Sequence, residues 1–209
     1  MKSNKQSPKQ VFDQWALDDH ADGMERSHWT SVKQAFELIP ESQGNYLEIG
    51  FGNGYGIHYM ATHQYRQGQC YGLDVSPNMV EKTSKRLQEL KNISLQAGDF
   101  LTWSPSEHIQ FSCIFSMEVF YYFHDIHAGI NKAISLLSPE GLLVVMVNYY
   151  LENKVSHSWP EDLGTPMTLW SEEQYLDAFQ QAGLLNVKQI RFEEGDGLGT
   201  LCTYGIKAS

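Results

Sequence analysis

A glycine-rich loop follows the first apolar run of the chain and could bind a small charged group. Residues 47–54 read Leu-Glu-Ile-Gly-Phe-Gly-Asn-Gly. Glycines allow positive φ and let the backbone approach a ligand, and a helix expected after the loop would direct free N–H groups toward it. The spacing is GxGxG and not GxGxxG, because Tyr55 and Ile57 occupy the third-glycine positions. The loop therefore predicts a site for a carboxylate or phosphate, with a tight turn that binds nothing as the alternative.

Two acidic residues follow the next two predicted strands. Asp74 stands 20 residues beyond Gly54, where a carboxylate can accept hydrogen bonds from both hydroxyls of a ribose. Ser76 suits the capping of the next helix, so Asp74 is not needed for that task. Asp99 can accept from the exocyclic amine of adenine, and Phe100 can line the base. Together with the glycine loop, these residues predict a site for an adenosine that carries a small charged tail.

Short apolar runs alternate with helical patterns from residue 46 onward. Strands are predicted at 46–49, 69–74, 93–97, 111–116, 142–147, 185–192 and 198–207. Helices are predicted over 11–39 in two pieces, at 55–66, from Pro77 to about 90, after Asp125, and after the capping box Ser171–Gln174. This order indicates a Rossmann-like open α/β sandwich of about seven strands, which ends in an antiparallel hairpin around the turn 195–197. Ligands of such sheets bind at the carboxyl ends of the strands.

The whole chain, 1–209, is interpreted as a single domain. Residues 1–44 would be a helical lid region behind a polar tail, 45–148 the cofactor-binding core, 149–170 an insertion, and 171–209 a last helix and hairpin. Both the first helices and the insertion are rich in aromatic residues. We expect them to cover the carboxyl edge of the sheet, either as a lid or as plain cover.

Composition limits the partners and the location of the protein. The formal net charge of −10 disfavours a nucleic-acid partner. Cys70, Cys113 and Cys202 lie far apart inside predicted strands, which is typical of buried thiols in a reducing compartment. The first ten residues are not a signal peptide, and no apolar run reaches the 18 residues of a membrane span. A cytoplasmic protein of unknown oligomeric state is predicted.

These motifs resemble the class I S-adenosylmethionine-dependent methyltransferases, over about residues 46–207. The resemblance implies that E-x-G-x-G-x-G holds the methionine part of S-adenosylmethionine, Asp74 the ribose and Asp99 the adenine, and that S-adenosylhomocysteine is the product. Val75 and Met79 occupy positions that pack on adenine in the family, or belong to the core. Gly141 resembles the L-x-P-G-G turn, with Glu140 in place of one glycine. The predicted cofactor site comprises Glu48, Gly50, Gly52, Gly54, Asp74, Val75, Met79, Asp99, Phe100 and Ser116.

The segment after the fourth strand predicts the chemistry beside the methyl group. Residues 116–124, Ser-Met-Glu-Val-Phe-Tyr-Tyr-Phe-His, resemble the M-E-V-L-E-H stretch of quinone-biosynthesis O-methyltransferases. Tyr121 and Tyr122 replace its E-H pair, and because phenols are poor ligands for hard cations, no metal site is predicted. Candidate bases are His124, Tyr122 and His20. The alternatives are a pocket wall for the two tyrosines and an exposed loop position for His124.

The predicted function is methyl transfer to an O or N atom of a small, partly apolar molecule by in-line displacement. The lid would contact this acceptor through aromatic and polar side chains. Two other classes stay open: a non-catalytic S-adenosylmethionine-binding protein, and a nicotinamide-dependent oxidoreductase. The candidate acceptor contacts are Trp15, Tyr121, Asn148, Tyr149, His157 and Trp159, and further lid residues are His20, Met24 and Tyr150.

Overall fold

The computed structural model of the chain describes residues 6–18, 20–106, 109–193 and 197–209. Within these ranges seven strands form one sheet in the order β3-β2-β1-β4-β5-β7-β6. The first five strands run parallel, and β7 is antiparallel to both of its neighbours. This is the predicted Rossmann-like architecture. The strands are β1 (Asn45–Ile49), β2 (Gln69–Asp74), β3 (Ile93–Ala97), β4 (Phe111–Met117), β5 (Leu137–Val147), β6 (Leu185–Phe192) and β7 (Thr200–Ile206).

Three of the helices begin at the capping residues that the sequence predicts. The side chains of Ser76 and Asp125 accept hydrogen bonds from the N–H groups of Met79 and Ala128, and Ser171 forms the predicted capping box. No helix in the described ranges has the length and apolar character needed to cross a lipid bilayer. The helices are α1 (Pro8–Trp15), α2 (His20–Phe36), α3 (Tyr55–Thr62), α4 (Pro77–Arg86), α5 (Ile126–Leu136), α6 (Trp159–Asp162) and α7 (Glu172–Gln181).

Several boundaries differ from the prediction. The predicted polar tail already contains the start of α1. Ser7 is its N-cap and forms a second capping box with Gln10, and Pro8 is the first helical residue. Helices α3 and α4 end about one turn early, and the chain beyond α4 continues as a tighter turn in which the Leu90 N–H donates to the Leu87 carbonyl. The predicted insertion contains a 3-10 turn and α6. Of the predicted hairpin turn, residues 194–196 lie outside the described residues.

The core lies on both faces of the sheet. Along β5, Leu143, Val145 and Val147 pack in one apolar layer, and Val144 and Met146 pack in the other. Strand β5 is therefore buried on both faces, as its unbroken apolar run predicts. The three cysteines are free thiols buried in the sheet, also as predicted.

Helix α2 closes the second layer through Phe36. Its side chain is fully buried, and its ring centroid lies 5.0 Å from that of Phe115 on β4. We expect Phe36→Ala to lower the free energy of unfolding by about 3–5 kcal/mol, because the cavity left in the core cannot refill. Leu17→Ala is the control, since Leu17 is 73% exposed and its loss should cost less than about 0.5 kcal/mol. Urea unfolding measures both, and equal values for the two variants would contradict the assigned packing.

Candidate active site

A cavity of about 900 Å³ opens at the carboxyl ends of β1, β2, β3 and β4. Its floor is the loop after each of these strands, which is where open α/β sheets bind their ligands. Helices α1 and α2 and the segment around α6 form its other walls. The volume is near the upper end of the ~300–1,000 Å³ typical of small-molecule sites, so two small molecules can share it.

The glycine loop after β1 has the shape of a ligand cradle. Gly50, Gly52 and Gly54 all have positive φ, at 74°, 53° and 84°. A Cβ on Gly50 would lie 2.2 Å from Cγ2 of Val119, whereas a Cβ on Gly52 would meet no atom within 4 Å. The backbone at Gly52 thus faces open space in the cavity, and a ligand can approach it closely.

Helices α4 and α2 hold this loop from behind. The Thr83 hydroxyl donates to the Gly52 carbonyl at 2.7 Å. The Asn53 amide donates to Glu25 at 2.8 Å, and Arg86 donates to the same carboxylate at 2.8 Å. The loop is therefore fixed by two helices before any ligand arrives.

Asp74 lies at the centre of the floor, and its side chain is oriented by the backbone. Its two carboxylate oxygens accept from the N–H groups of Gly52 at 3.0 Å and Ser76 at 2.9 Å. Burial raises the pKa of Asp74 to about 6, although both hydrogen bonds act in the opposite direction. The nearby charge of Asp13 adds to the rise.

Glu48 is the second buried carboxylate of the cavity. It accepts a hydrogen bond from the Tyr46 hydroxyl at 2.9 Å and packs so closely on α3 that a Cβ on Gly56 would lie 2.6 Å from Oε1. Burial raises its pKa to about 8, and the charge of Asp74 adds to the rise. A cationic group bound here would relieve both carboxylates.

The loop after β3 forms the third part of the floor. Asp99 is exposed and accepts from the Leu101 N–H at 2.8 Å, while Phe100 is buried and lines the cavity beside Val75. The Lys132 ammonium lies 5.6 Å from the centre of the Phe100 ring. A carboxylate next to an apolar wall suits a flat, amine-bearing base.

The segment after β4 places a fourth carboxylate at the cavity, held by Tyr121 and by the start of the loop after β5. Glu118 has a φ of 60°, which is rare for a residue with a side chain. Its carboxylate accepts from the Tyr121 hydroxyl at 3.0 Å and from the N–H of Asn148. The rings of Tyr121 and Tyr122 lie 4.5 Å apart, and burial raises the pKa of both phenols, so that both stay neutral.

Most of the predicted binding residues line this one cavity, and three of the cofactor candidates do not. Gly54 is the N-cap of α3 and lies against Thr83. Met79 is fully buried in the sheet-facing side of α4, and Ser116 donates to the Ile49 carbonyl at 3.2 Å inside the sheet. The predicted residues that line the cavity are Trp15, Glu48, Gly50, Gly52, Asp74, Val75, Asp99, Phe100, Tyr121, Tyr122 and Trp159.

The structure does not bring the two candidate histidines to the cavity. The 3-10 turn Phe120–Tyr122 redirects the chain, so that His124 lies in a separate depression beside Trp170. His20 is exposed and stacks on Trp15, with 5.5 Å between ring centres. Of the three candidate bases, Tyr122 alone contributes to the cavity wall.

Three predicted acceptor contacts lie outside the lining, because each is engaged in a contact within the protein. Asn148 uses its N–H to hold Glu118. Tyr149 is buried against Tyr121, with ring centres 5.4 Å apart, and the His157 ring bonds to the Leu151 carbonyl at 3.0 Å. Of the further lid residues, Met24 lines the cavity, whereas Tyr150 is fully buried.

Other lining residues were not predicted. Phe12 lies three residues before Trp15 on α1, a helical spacing that placed both on one face and could have revealed it. His28 also lines the cavity, and Asp162 and Leu163 line it from the end of α6, but no local pattern marks them. Within the described part of the chain, no group of three or more His, Cys, Asp or Glu side chains is arranged to hold a metal ion.

Comparison with known proteins identifies the class. Residues 18–189 match a family model described as a methyltransferase domain, and the chain belongs to this family. Its class is therefore that of the methyltransferase domains with the Rossmann-like fold. This family match favours methyl transfer over the alternative of a nicotinamide-dependent oxidoreductase.

Solved structures and curated relatives agree with this class. A proposed methyltransferase of Haloferax volcanii, solved in complex with the Trm112 methyltransferase activator, is 30% identical over 95% of this chain and 98% of its own, with a TM-score of 0.85. The N-methyltransferase NodS of Bradyrhizobium japonicum, in complex with S-adenosylhomocysteine, shares the fold at 20% identity over 98% of this chain and 100% of its own, with a TM-score of 0.74.

The curated relatives match over shorter regions. Probable thiol methyltransferase 2 of Arabidopsis thaliana is 31% identical over 50% of this chain and 46% of its own length. An uncharacterised protein of a Streptomyces fradiae transposon is 28% identical over 64% of this chain and 37% of its own. The matched region thus spans less than half of each of these relatives.

The ionisation of Asp74 should be visible in cofactor binding. The ribose hydroxyls are donors, so they favour the ionised carboxylate, which dominates above a pH of about 6. At a pH one unit below the pKa, a carboxyl group is roughly nine-tenths protonated. We therefore expect the affinity for S-adenosylhomocysteine to fall about tenfold from pH 7 to pH 5, as the ionised fraction of Asp74 falls. Calorimetric titration across this range measures the step.

Asp74→Asn is the control for this titration. The variant keeps the size of the side chain and removes its ionisation, so any remaining pH dependence belongs to the ligand or to another titratable group of the lining, such as Glu48, whose pKa is near 8. We also expect weaker binding at every pH, since an amide oxygen replaces a charged acceptor. An unchanged step between pH 5 and 7 in Asp74→Asn would show that Asp74 is not its source.

Proposed function

We propose that this methyltransferase transfers the methyl group to an O or N atom of a small, partly apolar acceptor held in the same cavity as the cofactor. The observation that carries this proposal is the continuity of the cavity. One volume of about 900 Å³ is lined at its floor by Gly52, Asp74 and Asp99 and at its far wall by Trp15 and Trp159. Cofactor and acceptor can therefore meet without solvent between them.

In this proposal the floor of the cavity holds the cofactor. The backbone at Gly52 approaches the methionine part, Glu48 offsets its positive charge, and Asp74 accepts from the ribose. Asp99 would accept from the adenine amine, while Phe100 and Val75 pack on the ring. The open space at Gly52 supports this fit. So do the raised pKa values of Glu48 and Asp74, because a bound cation would favour the ionised form of both buried carboxyl groups.

S-adenosylmethionine supplies an electrophilic methyl group on a positively charged sulfur. The task of the protein is to place the nucleophile in line with that carbon and to exclude water. Tyr121, Tyr122 and Phe12 provide a buried or half-buried wall beside Glu118, where we place the acceptor. The aromatic character of this wall supports a small, partly apolar molecule rather than an extended polymer.

A pair of glycine variants tests the assignment of the floor. Gly52 and Gly183 both have positive φ, and a Cβ on either would meet no atom within 4 Å. Valine should therefore strain the backbone similarly at both positions, by about 1–3 kcal/mol, but only at Gly52 would it enter the cavity. We expect Gly52→Val to lose binding of S-adenosylmethionine and S-adenosylhomocysteine in calorimetry and Gly183→Val to retain it.

Wild-type protein titrated with S-adenosylmethionine, S-adenosylhomocysteine and NAD completes this test. We expect the wild type to bind the first two compounds and not NAD. If the two glycine variants then lost binding equally, the cofactor site would lie elsewhere on the protein. The proposal itself also requires formation of S-adenosylhomocysteine when small acceptors are added. The same titration in the presence of the Haloferax volcanii Trm112 protein examines whether this chain, like its relative, takes an activator.

We further propose that α1 acts as a lid. It contributes Phe12 and Trp15 to the cavity, and its Asp13 accepts a hydrogen bond from the Ser76 hydroxyl at 2.6 Å, two residues beyond Asp74. A ligand that orders the loop around Asp74 should therefore also order α1. The Asn78 amide also donates to the Asp13 carbonyl at 3.2 Å, so α1 is joined to the start of α4 at two points.

Limited proteolysis tests the lid. We expect S-adenosylhomocysteine to slow cleavage within residues 6–18 several-fold, because binding and local opening draw on the same equilibrium. Asp13→Asn should reduce this protection without abolishing binding of the ligand. Cleavage that S-adenosylhomocysteine does not slow in the wild type would rule out the coupling between α1 and the cofactor site.

A further inference from the structure

We propose that the acceptor is an amine that enters the cavity as an ammonium ion, and that Glu118 binds this ion and takes its proton. This inference rests on the proposed function and chooses nitrogen over oxygen as the methylated atom. It stands on the charges of the cavity, on the aromatic surfaces beside Glu118, and on the position of that carboxylate after β4.

The lining of the cavity contains more carboxyl groups than basic side chains. Among the described residues of its lining there are five carboxylates and one lysine, with His28 as the remaining basic side chain. The lysine, Lys9, lies at the rim with its Nζ 2.5 Å from the Asp13 carboxylate, so its charge is already balanced. The five carboxylates are Glu48, Asp74, Asp99, Glu118 and Asp162.

One bound cofactor does not balance this charge. S-adenosylmethionine has a sulfonium, an ammonium and a carboxylate, hence a net charge near +1, and it occupies the floor with Glu48, Asp74 and Asp99. Glu118 and Asp162 remain at the acceptor end. A second cation is the ligand that this arrangement favours, because opposite charges attract more strongly in a partly dehydrated cavity than in water.

The walls around Glu118 also suit a cation. Phe12 meets Tyr122 edge to face, with 5.5 Å between ring centres, and Trp15 and Trp159 complete the aromatic surface. Aromatic faces attract ammonium groups, most strongly where water is excluded. The same rings can pack against the apolar part of an amine.

Anionic acceptors meet the opposite environment. A carboxylic acid, or a phenol that has lost its proton, would bring a negative charge next to Glu118. Among the described lining residues, the one lysine is paired at the rim, and the phenols of Tyr121 and Tyr122 are neutral hydrogen-bonding groups. An acceptor that must be anionic before it attacks would therefore be repelled by the carboxylate beside it.

Glu118 is held in the position that this role requires. The Tyr121 hydroxyl and the Asn148 N–H both donate to its carboxylate, and these two hydrogen bonds fix the side chain. The proposed step begins with an ammonium ion that gives one proton to the Glu118 carboxylate. The freed nitrogen lone pair forms the N–C bond while the C–S bond breaks, and the electrons of that bond remain on sulfur.

The products of this step balance. They are an N-methylammonium ion and neutral S-adenosylhomocysteine, and the proton on Glu118 passes to water when the site opens. The carboxylate is thereby restored for the next turnover. No oxidant, reductant or metal is needed.

Three probes of equal size and different charge test the inference by binding alone. Phenethylamine, 2-phenylethanol and phenylacetate are titrated into the complex with S-adenosylhomocysteine. We expect the amine to bind at least ~10-fold more tightly than the alcohol, and the acid not at all, since each tenfold step is the loss of about one charge-assisted contact. Equal binding of amine and alcohol, or preference for the acid, would overturn the proposal.

Glu118→Gln keeps the size of the side chain and the oxygen that accepts from Tyr121 or Asn148. We expect it to reduce amine binding at least ~10-fold and to leave alcohol binding unchanged. Glu161→Gln is the matched control, because Glu161 is an exposed carboxylate of α6 outside the lining. Thermal unfolding and S-adenosylhomocysteine binding of both variants show whether they are folded. An equal effect of the two variants on amine binding would overturn the role of Glu118.

Tyramine reports the methylated atom, since it offers an amine and a phenol in one molecule. We expect mass spectrometry and NMR of the product to show methylation on nitrogen, and methylation on the phenol oxygen would overturn the inference. Failure of all these amines to bind while S-adenosylhomocysteine does would reject the amine and leave the proposed methyl transfer standing. Failure of S-adenosylhomocysteine itself to bind would reject the proposed site.

Discussion

The position of Asp74 is the constraint on which the rest of this site depends. A carboxylate buried at the end of β2 is costly unless its oxygens have donors, and here the donors are the N–H groups of Gly52 and Ser76. These two bonds join the glycine loop to the start of α4, so one side chain fixes the relative position of two of the four loops of the floor. Its pKa nevertheless rises to about 6, because two neutral donors offset burial only in part. A ligand with hydroxyl donors would add further hydrogen bonds to the same carboxylate.

Glu48 and Asp74 together make the floor an unfavourable place without a cation. Burial raises the pKa of both carboxyl groups, and the charge of Asp74 raises the pKa of Glu48 further. A folded-state pKa above the ordinary value means that ionisation of these groups opposes folding, increasingly as the pH rises past that ordinary value. Binding of a positively charged cofactor would reverse this cost. Cofactor affinity and protein stability are therefore expected to be linked in this family member through the same two side chains.

The two helices above the floor attach to the sheet differently, because α2 also packs into the core through Phe36. Helix α1 reaches Ser76 through Asp13, and α2 reaches the glycine loop through Glu25, Asn53 and Arg86. The end of β4 differs, since Glu118 is held by Tyr121 and by β5 through Asn148. The acceptor wall near Glu118 is thus part of the rigid sheet edge, while the α1 side of the cavity is the part suited to open. The proposed acceptor would therefore bind at the fixed wall, and ligands would enter past α1.

The sequence by itself determined the sheet, three of its helix caps and the meeting of the glycine loop with the acids after β2 and β3. These features are local: the unbroken apolar run of β5, the caps at Ser76 and Asp125, and acids at the ends of strands each appear within a few residues. The start of α1 was also local, in the Ser7–Gln10 capping box, and was overlooked inside a polar tail. Tertiary structure alone decided which residues meet across the cavity. The turn Phe120–Tyr122 carries His124 away from it, the positive φ of Glu118 aims a carboxylate at it, and Asp13 meets Ser76 from far along the chain. Such contacts depend on the path of the chain between distant segments, and spacing in the sequence does not encode that path locally.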